Sequence, residues 1–336
     1  MTAEDVRVGP SVESAIWRGA ADWVAEGDLW QPWRLLSAQA DRAHAPDLIR
    51  VARMAAGVRA QVRTDATEIL LPVEHTDGEG RIDLVVDGDL ERRVELPQGR
   101  SEVRLPLPAG VHDVELWLPQ LANTRIGDLV LVGASLAEPP TPRPRWTTYG
   151  SSISQCGAAF GPSETWPALV ARRLGWDLTC LGFSGQCHLD PIAARTIAAV
   201  PADVISLCLG INMMGGATFS PRAFAPHVSG FVEQVRQAHP DTPILVMTPI
   251  VSPPRERTPN AVGLTLESMR VAIGEVVATL ARTDPNLHLL EGPTIIGTGD
   301  VHLLPDDLHP DGEGYRLMAE RLAPVLAQLP QPALAR

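Results

Sequence analysis

Trp146-Thr147-Thr148-Tyr149-Gly150-Ser151-Ser152-Ile153 is an aromatic and β-branched run that breaks on a glycine and two small hydroxyl residues. It reads as a strand feeding a tight turn. The rhythm then repeats. Ser163 reads as the N-cap of a helix running through Leu174, followed by a strand at Asp177-Leu178-Thr179-Cys180-Leu181. A helix over 188–200 and a buried strand over 203–209 come next, then a long helix over 221–239 and a strand at Ile244-Leu245-Val246-Met247. A helix over about 264–282, a strand at Leu287-His288-Leu289-Leu290 and a last helix from near Glu313, which Asp311 could cap, complete the series. Strands alternating with helices at these lengths build βαβ units, hence an α/β domain with a mostly parallel sheet covered on both faces. In such sheets sites form at the carboxyl ends of the strands. Gly150, Gly185 (in Gly182-Phe183-Ser184-Gly185) and Gly210 (in Gly210-Ile211-Asn212) each follow an apolar strand, so three turns share one rim.

Upstream the rhythm differs. Ala66-Thr67-Glu68-Ile69-Leu70-Leu71-Pro72-Val73, Arg81-Ile82-Asp83-Leu84-Val85-Val86-Asp87-Gly88, Ser101-Glu102-Val103-Arg104-Leu105-Pro106-Leu107 and Asp113-Val114-Glu115-Leu116-Trp117-Leu118 alternate with period two. Short alternating runs separated by turn residues are the pattern of an antiparallel sandwich. Glu138-Pro139-Pro140-Thr141-Pro142-Arg143-Pro144-Arg145 is too rich in proline for a helix or a central strand. The expected organisation is an all-β sandwich over 1–137, a connector over 138–145 and an α/β domain over 146–330. Trp17, Trp23, Trp30 and Trp33 could stack on sugar rings, but core packing is the commoner use of such residues.

With 336 residues and 45% apolar content, each half can bury a core of its own. A net charge of −12 argues against a nucleic-acid or anionic membrane surface as partner. Every basic residue is Arg. The first residues show no basic, then apolar, leader, and no apolar run approaches the ~20 residues that span a bilayer, so the expectation is a soluble cytoplasmic protein. Cys156, Cys180, Cys187 and Cys208 have no metal-like spacing, and no metal or other cofactor is expected. Cys180 and Cys208 read as small core residues; Cys156 and Cys187 follow two of the rim turns, with packing again the simpler role.

A hydroxyl is a weak nucleophile at its own pKa, so a reactive serine needs an imidazole to take its proton and a carboxylate to steady that imidazole. Ser152 sits in the first rim turn, and Asp306-Asp307-Leu308-His309-Pro310 supplies the other two groups near the C-terminus. Asp306 suits the role better than Asp307, because three positions let its carboxylate fold back onto Nδ1 of His309. Between these blocks lie two plausible donors to a developing oxyanion: the backbone N–H of Gly185 and the side-chain amide of Asn212. His188 could face the same pocket, although a lone histidine is more often structural. Each piece alone is a common sequence; their order and placement on one rim are not. The Gly-x-Ser-x-Gly elbow of α/β-hydrolases is absent, since Ser154 and Gln186 stand where its second glycine would follow Ser152 and Ser184.

In the order Ser, Gly, Asn, Asp-x-x-His, the blocks resemble those of the GDSL, or SGNH, hydrolase family over residues 146 to about 328. The resemblance implies a flavodoxin-like three-layer domain in which Ser152 attacks an ester carbonyl. His309 would act as general base, Asp306 would orient it, and the Ser152 and Gly185 N–H groups with the Asn212 amide would hold the oxyanion. The chain departs from the pattern at Ser151 and Met213, where the family usually carries aspartate. Gly-Ser-Ser-Ile behind an N-terminal, jelly-roll-like sandwich is similar to a bacterial subgroup containing carbohydrate esterases and a polyketide-tailoring acyltransferase. A serine esterase acting on a small hydroxylated or carbohydrate-like ester is therefore expected. The alternatives are an acyltransferase from a thioester or ester donor to an alcohol, and a non-catalytic glycan-binding protein.

Overall fold

Residues 4–78 and 80–330 are described by the structure, a computed structural model of the chain. Residues 1–3, part of the N-terminal stretch considered above, lie outside them. The chain divides into two compact units: one holds residues up to 40, 49–143 and 161–163, the other 41–48, 144–160 and 164 onward.

The first unit is built of two antiparallel sheets. Glu68–Asp77 is the spine of one, pairing with Leu129–Ala134, Asn123–Ile126 and Gly99–Pro106. Arg59–Thr64 and Arg81–Val86 flank His112–Trp117 in the other. The inward residues of Glu68–Asp77 (Ile69, Leu71, Val73) join Leu84, Val114, Leu116 and Leu131 in one buried cluster, as period-two alternation dictates. Asp87-Gly88 closes the hairpin between Arg81–Val86 and Asp89–Glu95 with both residues at positive φ, as a type I′ turn requires. Trp17 and Trp23 are buried in this cluster with rings 5.6 Å apart in a T-shaped pair, so they serve as core and not as an exposed platform. Gly161–Ser163 belongs to this unit. Ser163 donates its N–H and its Oγ–H to Asp83 Oδ2 at 3.0 and 2.7 Å, and Arg93 holds the same buried carboxylate through two bonds at 2.7 and 2.9 Å.

The second unit carries the alternating elements: β1 (Arg145–Gly150), α1 (Ser152–Gln155), α2 (Trp166–Leu174), β2 (Asp177–Gly182), α3 (Pro191–Ala199), β3 (Val204–Cys208), α4 (Ile211–Gly216), α5 (Pro221–Ala238), β4 (Ile244–Met247), α6 (Leu266–Leu280), β5 (Leu287–Leu290) and α7 (Gly312–Ala327). The five strands are parallel, in the order β2-β1-β3-β4-β5. That is the flavodoxin-like order. Right-handed crossovers put α2 and α7, which pack together, on one face, with α3, α5 and α6 on the other. The direction of the crossovers reverses between β1 and β3, and the carboxyl ends of those strands are the expected ligand position.

Two expectations need correction. Ser163 does not cap α2, because its hydroxyl is committed to Asp83; Thr165 takes that position and accepts from the Ala168 N–H. The connector is also shorter than 138–145. Ala137–Glu138 pairs with Arg59–Thr64, and Arg145 already begins β1. Asp311 does cap α7, accepting from the Gly314 N–H. Among the described residues, no helix is long and apolar enough to cross a membrane.

Candidate active site

Ser152 is placed by close packing around α1. The last residue of β1, Gly150, passes so near this turn that a Cβ there would lie 2.2 Å from Ser154 Oγ, and a Cβ on Gly182 would lie 2.5 Å from the Gln155 backbone nitrogen. Only glycine lets both strands approach the helix this closely. Ser151, standing where the family usually has aspartate, caps α1 by accepting from the Ile153 N–H at 3.2 Å. At the other end Cys156 adopts the left-handed conformation (φ 62°) and returns its N–H to the Ser152 carbonyl at 2.7 Å. The buried Trp166 indole donates to the Ile153 carbonyl at 2.9 Å, tying α1 to the start of α2.

His309 reaches Ser152 from the loop before α7. The Ser152 Oγ and His309 Nε2 are 2.8 Å apart, and His309 Nδ1 lies 2.6 Å from Asp306 Oδ2. A carboxylate can only accept, so the ring proton sits on Nδ1 and Nε2 presents its lone pair to the serine hydroxyl. The other oxygen, Asp306 Oδ1, accepts from the backbone N–H groups of His309 (2.7 Å) and Leu308 (3.1 Å). Desolvation raises the Asp306 carboxyl, but the hydrogen bonds from His309 and Leu308 outweigh it and hold the group at about 2. The side chain remains 54% exposed. Asp307 plays a different part. It is in the left-handed region (φ 60°) with its side chain exposed, and its carbonyl accepts from Ser252 Oγ at 2.7 Å.

Asn212 lies in the first turn of α4, directly after β3. Gly210 precedes that helix at φ 116°, where a Cβ would also meet Pro249 at 2.5 Å. The Asn212 Oδ1 accepts from the Cys187 N–H at 2.9 Å, so the amide NH₂ is the end left to donate elsewhere. Gly185 sits in a one-turn 3₁₀ segment after β2, exposed, with open space where a side chain would project. Ser152, Gly185 and Asn212 thus follow β1, β2 and β3 at one end of the sheet, with His309 bonded to Ser152.

Cys156, Cys180 and Cys187 are buried and Cys208 half-buried, all as free thiols. Burial pushes the thiols of Cys156 and Cys187 up, and that of Cys208 to about 12, so they stay protonated and unreactive. Sequence reasoning missed two supports of the Gly185 turn. Buried Gln155 accepts from Ser184 Oγ at 2.9 Å, and the Tyr149 hydroxyl accepts from the Leu189 N–H at 3.1 Å. Tyr149 is itself fixed by stacking on Phe231 at 5.0 Å. His188, for which the sequence favoured a structural role, is a third support, although its partner Thr218 was not foreseen. These partners lie 29 to 40 residues apart in sequence and carry no periodic signal.

Residues 148–317 match the family described as GDSL-like lipase/acylhydrolase. The chain belongs to this family. Among solved structures, a salicylyl-acyltransferase from a tetracycline biosynthetic pathway is 32% identical, with 98% of this chain and 99% of that chain covered and a TM-score of 0.88. A candidate GDSL-like lipase from Bacteroides ovatus is 21% identical over 98% of this chain and 100% of its own, with a TM-score of 0.78. A family two carbohydrate esterase from Clostridium thermocellum, in complex with cellohexaose, is 20% identical over 81% and 92% of the two chains, with a TM-score of 0.64. The last two likenesses are of fold. A search of curated proteins found no match.

Proposed function

We propose that the protein is a serine ester hydrolase working through an acyl-enzyme on Ser152. The unbroken chain Ser152 Oγ–His309 Nε2, His309 Nδ1–Asp306 Oδ2, at 2.8 and 2.6 Å, carries this reading. His309 takes the hydroxyl proton as Ser152 Oγ attacks the ester carbonyl, and ionised Asp306 stabilises the imidazolium that forms. The carbonyl oxygen becomes an anion held by the backbone N–H groups of Ser152 and Gly185 and by the Asn212 amide. Collapse of the tetrahedral adduct expels the alcohol, which leaves with the proton from His309. Water then gives a proton to the same imidazole, attacks the acyl-enzyme and frees Ser152. The substrate class is a small hydroxylated or carbohydrate-like ester.

A second reading has its own support in the 32% full-length similarity to a salicylyl-acyltransferase. There the acyl group comes from a thioester or ester, and an acceptor alcohol takes the place of water. Both use the same acyl-enzyme and differ in whether water or alcohol reaches it first. Aryl esters of graded chain length, with and without polyol acceptors, followed by product mass, separate the two. Free acid alone supports hydrolysis, acceptor ester supports transfer, and turnover that persists at full rate in Ser152→Ala contradicts both.

A further inference from the structure

The turn between β2 and α3 is bracketed by two non-glycine residues in the left-handed region, Ser184 (φ 46°) and Leu189 (φ 62°). Such conformations persist only where surrounding bonds over-determine them. Three of those bonds are already described: Ser184 to Gln155, Leu189 to Tyr149, and the Cys187 N–H to Asn212. The peptide plane that follows Gly185 is held at its nitrogen end, where the Gln186 N–H reaches the Phe183 carbonyl at 2.7 Å. Glycine is the most permissive residue in the turn, so a second hold on that plane, at its carbonyl end, narrows the backbone angles of Gly185 and with them the seating of its N–H. His188 supplies that second hold. Its Nε2 lies 3.0 Å from the Gly185 carbonyl, and its Nδ1 lies 2.8 Å from Thr218 Oγ1. A carbonyl can only accept, so Nε2 carries the ring proton and Nδ1 accepts from the Thr218 hydroxyl.

Thr218 is anchored in turn to the element that carries Asn212. Its N–H reaches the Met213 carbonyl at 3.3 Å, and the preceding Ala217 closes α4 in the left-handed region with its own N–H on the Met213 and Met214 carbonyls. Gly216 leaves the space the imidazole needs, since a Cβ there would lie 3.1 Å from His188 Cε1. Gly185 and Asn212 are therefore joined twice, once through Cys187 and once through His188 and Thr218.

We propose that His188 is a positioning residue for the oxyanion hole, holding the Gly185 carbonyl, and with it the residue whose N–H donates, against the helix of Asn212 through its bridge to Thr218. This rests on the oxyanion role of Gly185 and Asn212 stated above. His188 touches no reacting atom; it acts through Gly185.

The test uses the full chain and the variants His188→Ala, His188→Gln, Thr218→Val and Asn212→Ala. Readouts are kcat and KM on an aryl ester, Ki for an alkylboronic acid, and melting temperature. The boronate adduct on Ser152 is tetrahedral and places an oxygen in the hole, so its affinity reports donor alignment. Loss of one whole donor costs about 10²–10³ in rate, so misalignment in His188→Ala is expected to lower kcat by about 10- to 100-fold with KM within about threefold. Boronate Ki should rise by the same factor. His188→Gln, whose amide N–H can still reach the carbonyl, should recover a large part of both. Thr218→Val should show a smaller loss in the same two quantities. A folded His188→Ala that keeps more than half of wild-type kcat and boronate affinity, beside a crippled Asn212→Ala, overturns the proposal alone. Should His188→Ala not fold, Thr218→Val decides: wild-type kcat and boronate affinity there overturn it, and a parallel loss supports it. An Asn212→Ala protein with full kcat instead sinks the oxyanion reading beneath it.

Discussion

Asp306→Asn is the most revealing substitution at this site, because the geometry assigns each carboxylate oxygen a separate task. Oδ1 accepts from two backbone N–H groups, at 2.7 and 3.1 Å, and Oδ2 accepts from His309 Nδ1 at 2.6 Å. Asparagine has one acceptor and one donor end, and the two backbone donors will keep its oxygen. Its NH₂ group then faces Nδ1, which can accept only if the ring proton moves to Nε2. That tautomer points a proton at Ser152 Oγ, where the mechanism needs a lone pair. Serine proteases with the same change lose about 10⁴ in kcat, or about 5.4 kcal/mol at 1.36 kcal/mol per decade. Here the loss should be on the order of 10³–10⁴, since the carboxylate is 54% exposed and water can solvate the ring in its place. The same exposure makes Asp306→Ala the milder change: water can accept from Nδ1–H, and the productive tautomer survives. Steady-state kcat on an aryl ester, for both variants and for Asp307→Asn, gives the order Asp307→Asn near wild type, then Asp306→Ala, then Asp306→Asn. The reasoning fails if Asp306→Asn keeps more than about a tenth of wild-type kcat, or if the two aspartates prove equivalent.

Asn212→Ala should lower kcat by about 10²–10³, roughly 2.7–4 kcal/mol, with little change in KM, because its amide is proposed to donate to charge that appears only in the transition state; kcat and KM on one aryl ester decide it. Asp306 is held at about 2, below the unfolded carboxylate value of about 3.9. Its contribution to stability is accordingly present above pH ~4 and lost as pH falls through about 2, which acid unfolding of wild type against Asp306→Ala would detect. Gly182→Ala should cost about 1–3 kcal/mol and impair kcat as well, since its Cβ would press on the Gln155 backbone nitrogen 2.5 Å away and shift the helix that carries Ser152. Urea unfolding and kcat together check it, and a stable, fully active variant would contradict the packing argument.

The alternation of strand and helix after Trp146 placed three turns on one rim, and the sheet order β2-β1-β3-β4-β5 does bring the residues after β1, β2 and β3 to one end. Periodicity could reveal this because the central strands β1, β3 and β4 are buried on both faces and the helices along one. The Asp306–His309 spacing was legible for a local reason, as residues three apart in a turn can close a ring of hydrogen bonds. Ser163 was misread because capping propensity is a local property and Asp83, which takes its hydroxyl, is 80 residues away. Gln155, Tyr149 and Thr218 were invisible for the same reason. Their partners are set by how the rim turns meet in three dimensions, and nothing in a single turn's sequence announces a brace. The left-handed Ser184, Leu189 and Ala217 were likewise hidden, since none is a residue type that favours that conformation.

The central claim, that Ser152 is the nucleophile activated by His309, is tested most directly by mapping a fluorophosphonate adduct on the intact chain. Stoichiometric labelling should add one phosphonyl group to the protein and place it on Ser152 within the peptide that contains it. Labelling should vanish in Ser152→Ala and fall by orders of magnitude in His309→Ala. An adduct on Ser151 or Ser184, or undiminished labelling without His309, would contradict the account.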